Sequence, residues 1–137
     1  MKENVFKSGV HKTLPSSQYI DKDIFKVERE RILGQSWHLA GHINDVQRKG
    51  DYLTEVVDGK PVIVIRSENN EIKAFFNVCP HRGHELVRVN TKGNTHKIVC
   101  PYHSWVFDTS GRLKYLPNKS AFHGIEEHDC SLIPLSL

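Results

Sequence analysis

Two short stretches constrain this chain more than anything else in it: "CPHRG" (Cys79 to Gly83) and "CPYHSW" (Cys100 to Trp105). Each opens on a cysteine followed by proline, and each carries a histidine two or three residues on, His81 and His103. Each also begins where a run of β-type residues ends, and the proline should stop ladder pairing at that point. Two Cys/His pairs in so small a protein suggest a metal. Two such loops at one end of a rigid sandwich can hold a metal centre at a protruding tip, and function tends to sit on loops positioned by a scaffold.

The surrounding pattern supplies that scaffold. "YLTEVV" and "PVIVIRS" flank Asp58-Gly59, a strong tight-hairpin signal. "ENNE" turns the chain into "IKAFFNV", which runs onto Cys79, and "THKIV" leads into Cys100. "WVFD-TSG-RLKY" reads as another hairpin with Gly111 at its corner, "SWHLAGHI" as a short strand near the start, and "SLIPLSL" as the last strand. Short strands separated by turns predict a mostly β chain, a small antiparallel sandwich or barrel. Ahead of it, "DKDIFKVERERIL" carries a helix signal. Asp21 serves as N-cap, Ile24, Phe25, Val27, Ile32 and Leu33 form an apolar set, and Gly34 stands just past the end. The remaining circumference is polar, which predicts a surface helix.

Composition narrows the function classes. At 137 residues the chain is one domain's worth, and 38% hydrophobic with 26% charged residues fits a soluble globular protein. A net charge of +3 without a Lys/Arg run gives nucleic-acid binding little support. The basic start lacks an apolar h-region and nothing approaches a membrane span, so the expected address is the cytoplasm, with no membrane partner. Three cysteines, two of them close to histidines, argue against a disulfide framework.

The donor set Cys79, His81, Cys100 and His103 admits two metal readings. One is a closed tetrahedral structural zinc. The other is a Rieske [2Fe–2S] cluster, in which two thiolates hold one iron and two imidazoles the other. Common zinc motifs bring cysteine with cysteine and histidine with histidine at close spacing. Here each loop supplies one of each, so each can reach both irons, which favours the cluster.

"CPHRG" followed by "CPYHSWVFDTSGRL" resembles the Rieske domain of the ring-hydroxylating and related Rieske non-haem iron oxygenases. The spacer from Arg82 through Val99, eighteen residues, is slightly longer than the family's usual one, and the excess is expected in the turn "NTKGNT" at Gly93 and Asn94. The resemblance implies a Rieske-type antiparallel β-sandwich with an N-terminal surface helix. It implies that Cys79 and Cys100 bind the buried iron, and that His81 and His103 bind the outer iron near the tip. The Rieske proteins of respiratory cytochrome bc complexes resemble the chain in ligand pattern but carry two further cysteines, where this sequence has His84 and Tyr102. They also place a serine and a tyrosine hydroxyl against the cluster sulfurs, where Trp105 and Phe107 stand here. Fewer such hydrogen bonds imply the low end of a Rieske potential range of roughly −150 to +300 mV.

Other candidates read as bland. His38 and His42 are expected at the surface or in packing, His84 beside the cluster loop without ligating, and Arg82 as a loop brace or a partner-facing charge. Cys130 is expected to be a plain thiol, and Trp105 a packing residue. His123, His128 and Asp129 superficially resemble the facial triad that holds a mononuclear iron. Gly124 and the lack of an acidic residue at Ser120 favour an exposed loop there instead.

The expected organisation is an arm over residues 1–18 and a Rieske domain with its helical leader over 19–137, without the catalytic iron domain. The resemblance implies one-electron delivery to a mononuclear Fe(II) in that missing domain, within an oxygenase that hydroxylates an organic substrate. A ferredoxin or flavin reductase would be the donor, and the assembly a ring-shaped trimer. A free-standing Rieske ferredoxin and a structural zinc module are the alternatives.

Overall fold

The computed structural model describes residues 13–122, 124 and 130–137, in two units, Met1–Trp37 and His38–Leu137. In the first unit the helix forms where expected. Asp21 caps α1 (Lys22–Arg31), its carboxylate accepting from the backbone N–H groups of Asp23 at 2.8 Å and Ile24 at 3.3 Å. Arg29 and Arg31 stand in the last turn, where cations favour the helix dipole. A 3-10 turn, Leu33–Gln35, ends the element around Gly34. No residue of α1 is buried. No described helix is long and apolar enough to cross a membrane.

The second unit holds eight strands in two antiparallel sheets. The larger runs β4-β1-β2-β3-β8, built from β1 (Asp51–Val57), β2 (Lys60–Arg66), β3 (Ile72–Phe76), β4 (Lys92–Asn94) and β8 (Pro134–Leu135). The smaller runs β5-β6-β7, from β5 (Lys97–Val99), β6 (Val106–Asp108) and β7 (Leu113–Tyr115). The β1–β2 hairpin turns on Asp58 and Gly59, both at positive φ (49° and 75°), which is the geometry a two-residue hairpin needs. In β2 the run Val62-Ile63-Val64-Ile65 is buried throughout. Ile63 and Ile65 pack with Phe75, Ile98, Phe107 and Leu113 in the main core, while Val64 packs with Val46, Leu53 and Ala74 in a second cluster. A strand covered on both faces loses its alternation, which is why this one reads as a continuous apolar run.

Two expectations fail for physical reasons. Residues 36–43 contain no strand. The side chain of His42 accepts from Asn44 N–H (3.1 Å) while Asp45 accepts from His42 N–H (3.0 Å), a reciprocal cap that starts a 3-10 turn, Ile43–Val46. Trp37 and Leu39, within the stretch expected as a strand, are 80% and 92% exposed. The stretch Lys92–Asn94, expected as a tolerant turn, is strand β4 against β1. Its Asn94 donates to the Lys49 carbonyl (2.9 Å) and to Asp51 (2.7 Å), a bond that, with the Arg48 N–H, holds the Asp51 carboxyl below its usual range.

The β6–β7 corner is tied down from both sides. Asp108 accepts from Ser110 N–H (2.9 Å), its hydroxyl (2.6 Å) and Arg112 N–H (3.1 Å). The buried Thr109 hydroxyl accepts from Glu68 N–H at 3.1 Å, joining this corner to the β2–β3 turn. Gly111 sits there at φ +82°, and a Cβ on it would come within 2.4 Å of the Phe75 ring. Gly111→Ala combines backbone strain with a clash against core, and is expected to cost about 2–3 kcal/mol, read as a lowered urea midpoint with an unchanged m-value.

Candidate metal centre

Two loops at one end of the sandwich carry the Cys/His pairs, one leaving β3 and one joining β5 to β6. They are closed by the same hydrogen bonds at the same offsets. In the first, Cys79 N–H donates to the His84 carbonyl (2.8 Å) and Gly83 N–H to the Cys79 carbonyl (2.9 Å). In the second, Cys100 N–H donates to the Trp105 carbonyl (2.8 Å) and Ser104 N–H to the Cys100 carbonyl (3.0 Å). The fourth residue after each cysteine is left-handed, Gly83 at φ +68° and Ser104 at φ +57°. Glycine adopts that conformation freely, whereas serine is held in it by the loop.

Asn77, fully buried, anchors the first loop. Its backbone N–H donates to the Pro61 carbonyl (2.8 Å), and its carbonyl accepts from Leu86 N–H (3.3 Å). Its side-chain amide clamps the backbone of Val87, donating to the carbonyl and accepting from the N–H (3.0 Å). An isolated bridge between Val78 and Glu85 closes the loop base. Sequence reading missed this residue, since an asparagine before a cysteine carries no distinguishing signal.

Within this frame the expected residues meet. Cys79 and Cys100 are both about 1% exposed and belong to the same core cluster. Burial pushes the Cys79 thiol from its ordinary 9.0 up to about 11. The nearby Cys100 thiol adds to the rise, while the His81 and Arg82 N–H groups, aimed at the sulfur, work against it. The His81 and His103 rings approach edge to face at 4.7 Å. Burial, then the neighbouring His103 and Arg82, push His81 below its usual value. The Nδ1 atoms of His81 and His103 are both buried without a hydrogen-bond partner.

Two orphaned buried ring nitrogens cost free energy unless something binds them. Among the described residues no three His, Cys, Asp or Glu side chains could hold a single metal ion. Thiol lies with thiol and imidazole with imidazole. That grouping fits a centre with two metal positions of different softness and does not fit a tetrahedral ion.

The neighbours resolve as follows. Trp105 is buried and also stacks on His81, with centroids 4.8 Å apart and planes 6° apart. Phe122 meets both rings at 5.8 Å. His84 is exposed, its Nδ1 2.6 Å from the Glu85 carbonyl. Arg82 is exposed and touches the site through its N–H. His38 and His42 are exposed, and Cys130 packs against the main core. His123, His128 and Asp129 lie outside the described residues.

Two measurements test this account. Asn77→Ala removes the amide that pairs two half-buried backbone groups of Val87 and should cost about 1–3 kcal/mol in denaturant unfolding. For Cys79 the folded value exceeds the unfolded one, so its contribution to stability is intact below pH 9 and lost as pH rises toward 11. The melting temperature of the metal-free protein should therefore fall across that interval, and Cys79→Ala should flatten the fall.

The Rieske [2Fe-2S] domain family matches residues 36–129. The carnitine monooxygenase oxygenase subunit of Acinetobacter baumannii is 34% identical over 125 residues, 91% of this chain and 33% of that protein. The biphenyl 2,3-dioxygenase subunit alpha of Rhodococcus jostii is 39% identical over 112 residues, 81% of this chain and 24% of its own. Among solved structures, the quaternary ammonium Rieske monooxygenase CntA with L-carnitine superposes with TM-score 0.84 at 35% identity, over 90% of this chain and 35% of that one. The chain thus spans about a third or less of these relatives. With the matched residues enclosing both loops, this chain belongs to the Rieske [2Fe-2S] domain family, as a homologue of the iron–sulfur portion of oxygenase subunits.

Proposed function

We propose that Cys79 and Cys100, as thiolates, hold one iron of the cluster, and that His81 and His103 hold the other through their Nδ1 atoms. The carrying observation is the pair of buried, partnerless Nδ1 atoms together with two thiols buried in one cluster. A Rieske centre supplies a one-electron carrier whose potential depends on hydrogen bonds to sulfur, net charge and exposure. The chain's own residues do the rest. The core keeps water from the thiols, the matched loop closures fix the four donors, and Trp105 holds the His81 plane. Loading must displace the thiol protons of Cys79 and Cys100, so the apparent affinity for iron rises with pH.

In our reading the domain delivers electrons to the mononuclear Fe(II) of a Rieske non-haem iron oxygenase, whose catalytic domain lies outside the sequence described. A ferredoxin or flavin reductase is the donor, and the acceptor iron belongs to a neighbouring subunit of a trimer. Residues 19–137 form the Rieske domain with its helical leader, after an arm at 1–18. The cytoplasm, where thiols stay reduced, is the compartment that suits it.

Protein expressed with ample iron should be brown and, once reduced, give the low-average-g paramagnetic signal of a Rieske centre. Cys79→Ser, Cys100→Ser, His81→Ala and His103→Ala should each abolish that signal; a colourless wild type containing zinc would overturn the ligand reading. Redox titration should place the midpoint below about +100 mV, in the lower part of the Rieske range.

A further inference from the structure

We propose that His84 and Tyr102 form a non-covalent clasp between the two loops, through which Tyr102 acts as the positioning residue for His103; this rests on the ligand set proposed above. Tyr102 is 56% exposed, so core burial does not account for its placement. Its ring nonetheless lies on His103, with centroids 3.8 Å apart and planes 36° apart. On its other contact it meets the ring of His84, from the opposite loop, at 5.5 Å and 44°.

His84 is itself tied to the first loop twice. Its Nδ1 lies 2.6 Å from the Glu85 carbonyl, and its own carbonyl accepts the Cys79 N–H at 2.8 Å. The ring ladder His84–Tyr102–His103 therefore runs from one loop to the other across the imidazole that would bind the outer iron. Each imidazole has an aromatic neighbour of its own, and the two neighbours are held differently. Trp105 against His81 is fixed by the core, whereas Tyr102 against His103 is exposed and has His84 as its second ring. Offset aromatic contacts of this kind are attractive beyond their area. A ring on the face of His103 restricts the swing that would carry its Nδ1 off a metal.

The experiment uses the iron-loaded chain. Cluster loss to excess EDTA is followed by visible absorbance for wild type, Tyr102→Ala, Tyr102→Phe, His84→Ala and the double alanine variant. Electron spin-echo measurement of the two histidine nitrogens, and melting of each metal-free protein, accompany it. The clasp predicts about fivefold faster loss for each alanine variant, and no further acceleration in the double variant. Tyr102→Phe should stay within about twofold of wild type, because the contact is the ring and not the hydroxyl. Tyr102→Ala should shift one nitrogen coupling and leave the other, with metal-free melting unchanged; general loosening would move both couplings. An iron-loaded wild type whose variants lose the cluster at its own rate, or whose two alanine effects simply add, overturns the clasp alone. A wild type that takes up no iron overturns the ligand set and the clasp with it.

Discussion

Burial of two thiols and two ring nitrogens at one end of a β-sandwich governs the surrounding structure. Such burial is unfavourable for polar groups that lack partners, so the rest of the fold has to impose it. The main core imposes it: Phe107, Ile98, Ile63 and Trp105 share one buried cluster with Cys79 and Cys100. The loop closures impose it from the side, since a cysteine that both donates and accepts within a six-residue turn has little backbone freedom left. The domain thus stores an unfavourable arrangement that binding can relieve, which is how metal affinity and folding become one free energy.

The two loops come from different parts of the sandwich, and they hold the same geometry by different means. The first is long and needs the buried amide of Asn77, plus the Val78–Glu85 bridge, to close at its base. The second is short and flanked directly by β5 and β6, so the strand pair closes it. A register irregularity follows at once, two steps on β7 (Tyr115 to Leu113) standing opposite one step on β6 (Val106 to Phe107), while Trp105 and Phe107, two apart, both stay in the main core.

Much of this was legible in sequence because the relevant chemistry is local. Asp58-Gly59 announces a hairpin since both positions need positive φ, and the cysteines stand where β-type runs stop. The unreadable parts depend on partners distant in sequence. "KGN" has no apolar pattern, yet it becomes β4 because β1 offers an edge and Asn94 finds Lys49 and Asp51. Trp37 and Leu39 stand in a stretch that reads as a strand, yet the His42–Asp45 cap takes the chain into a 3-10 turn. The four candidate donors stand out by type and spacing, whereas Asn77 as anchor and the left-handed Ser104 do not, because neither residue type is unusual in a loop.

The shared turn frame has one more consequence. Histidine sits two positions after Cys79 and three after Cys100, although both frames close at identical offsets. Helical and turn geometry rotate successive side chains around the loop, so a one-residue displacement changes the side from which a ring approaches. Backbone shape and ligand direction are therefore independent variables in this end of the molecule. Quasi-symmetric loops deliver an asymmetric pair of imidazoles, both half-buried, one stacked on buried Trp105 and the other against exposed Tyr102. Two copies of a single turn thus end in imidazoles with unlike aromatic surroundings, one set by the core and one by an exposed ring.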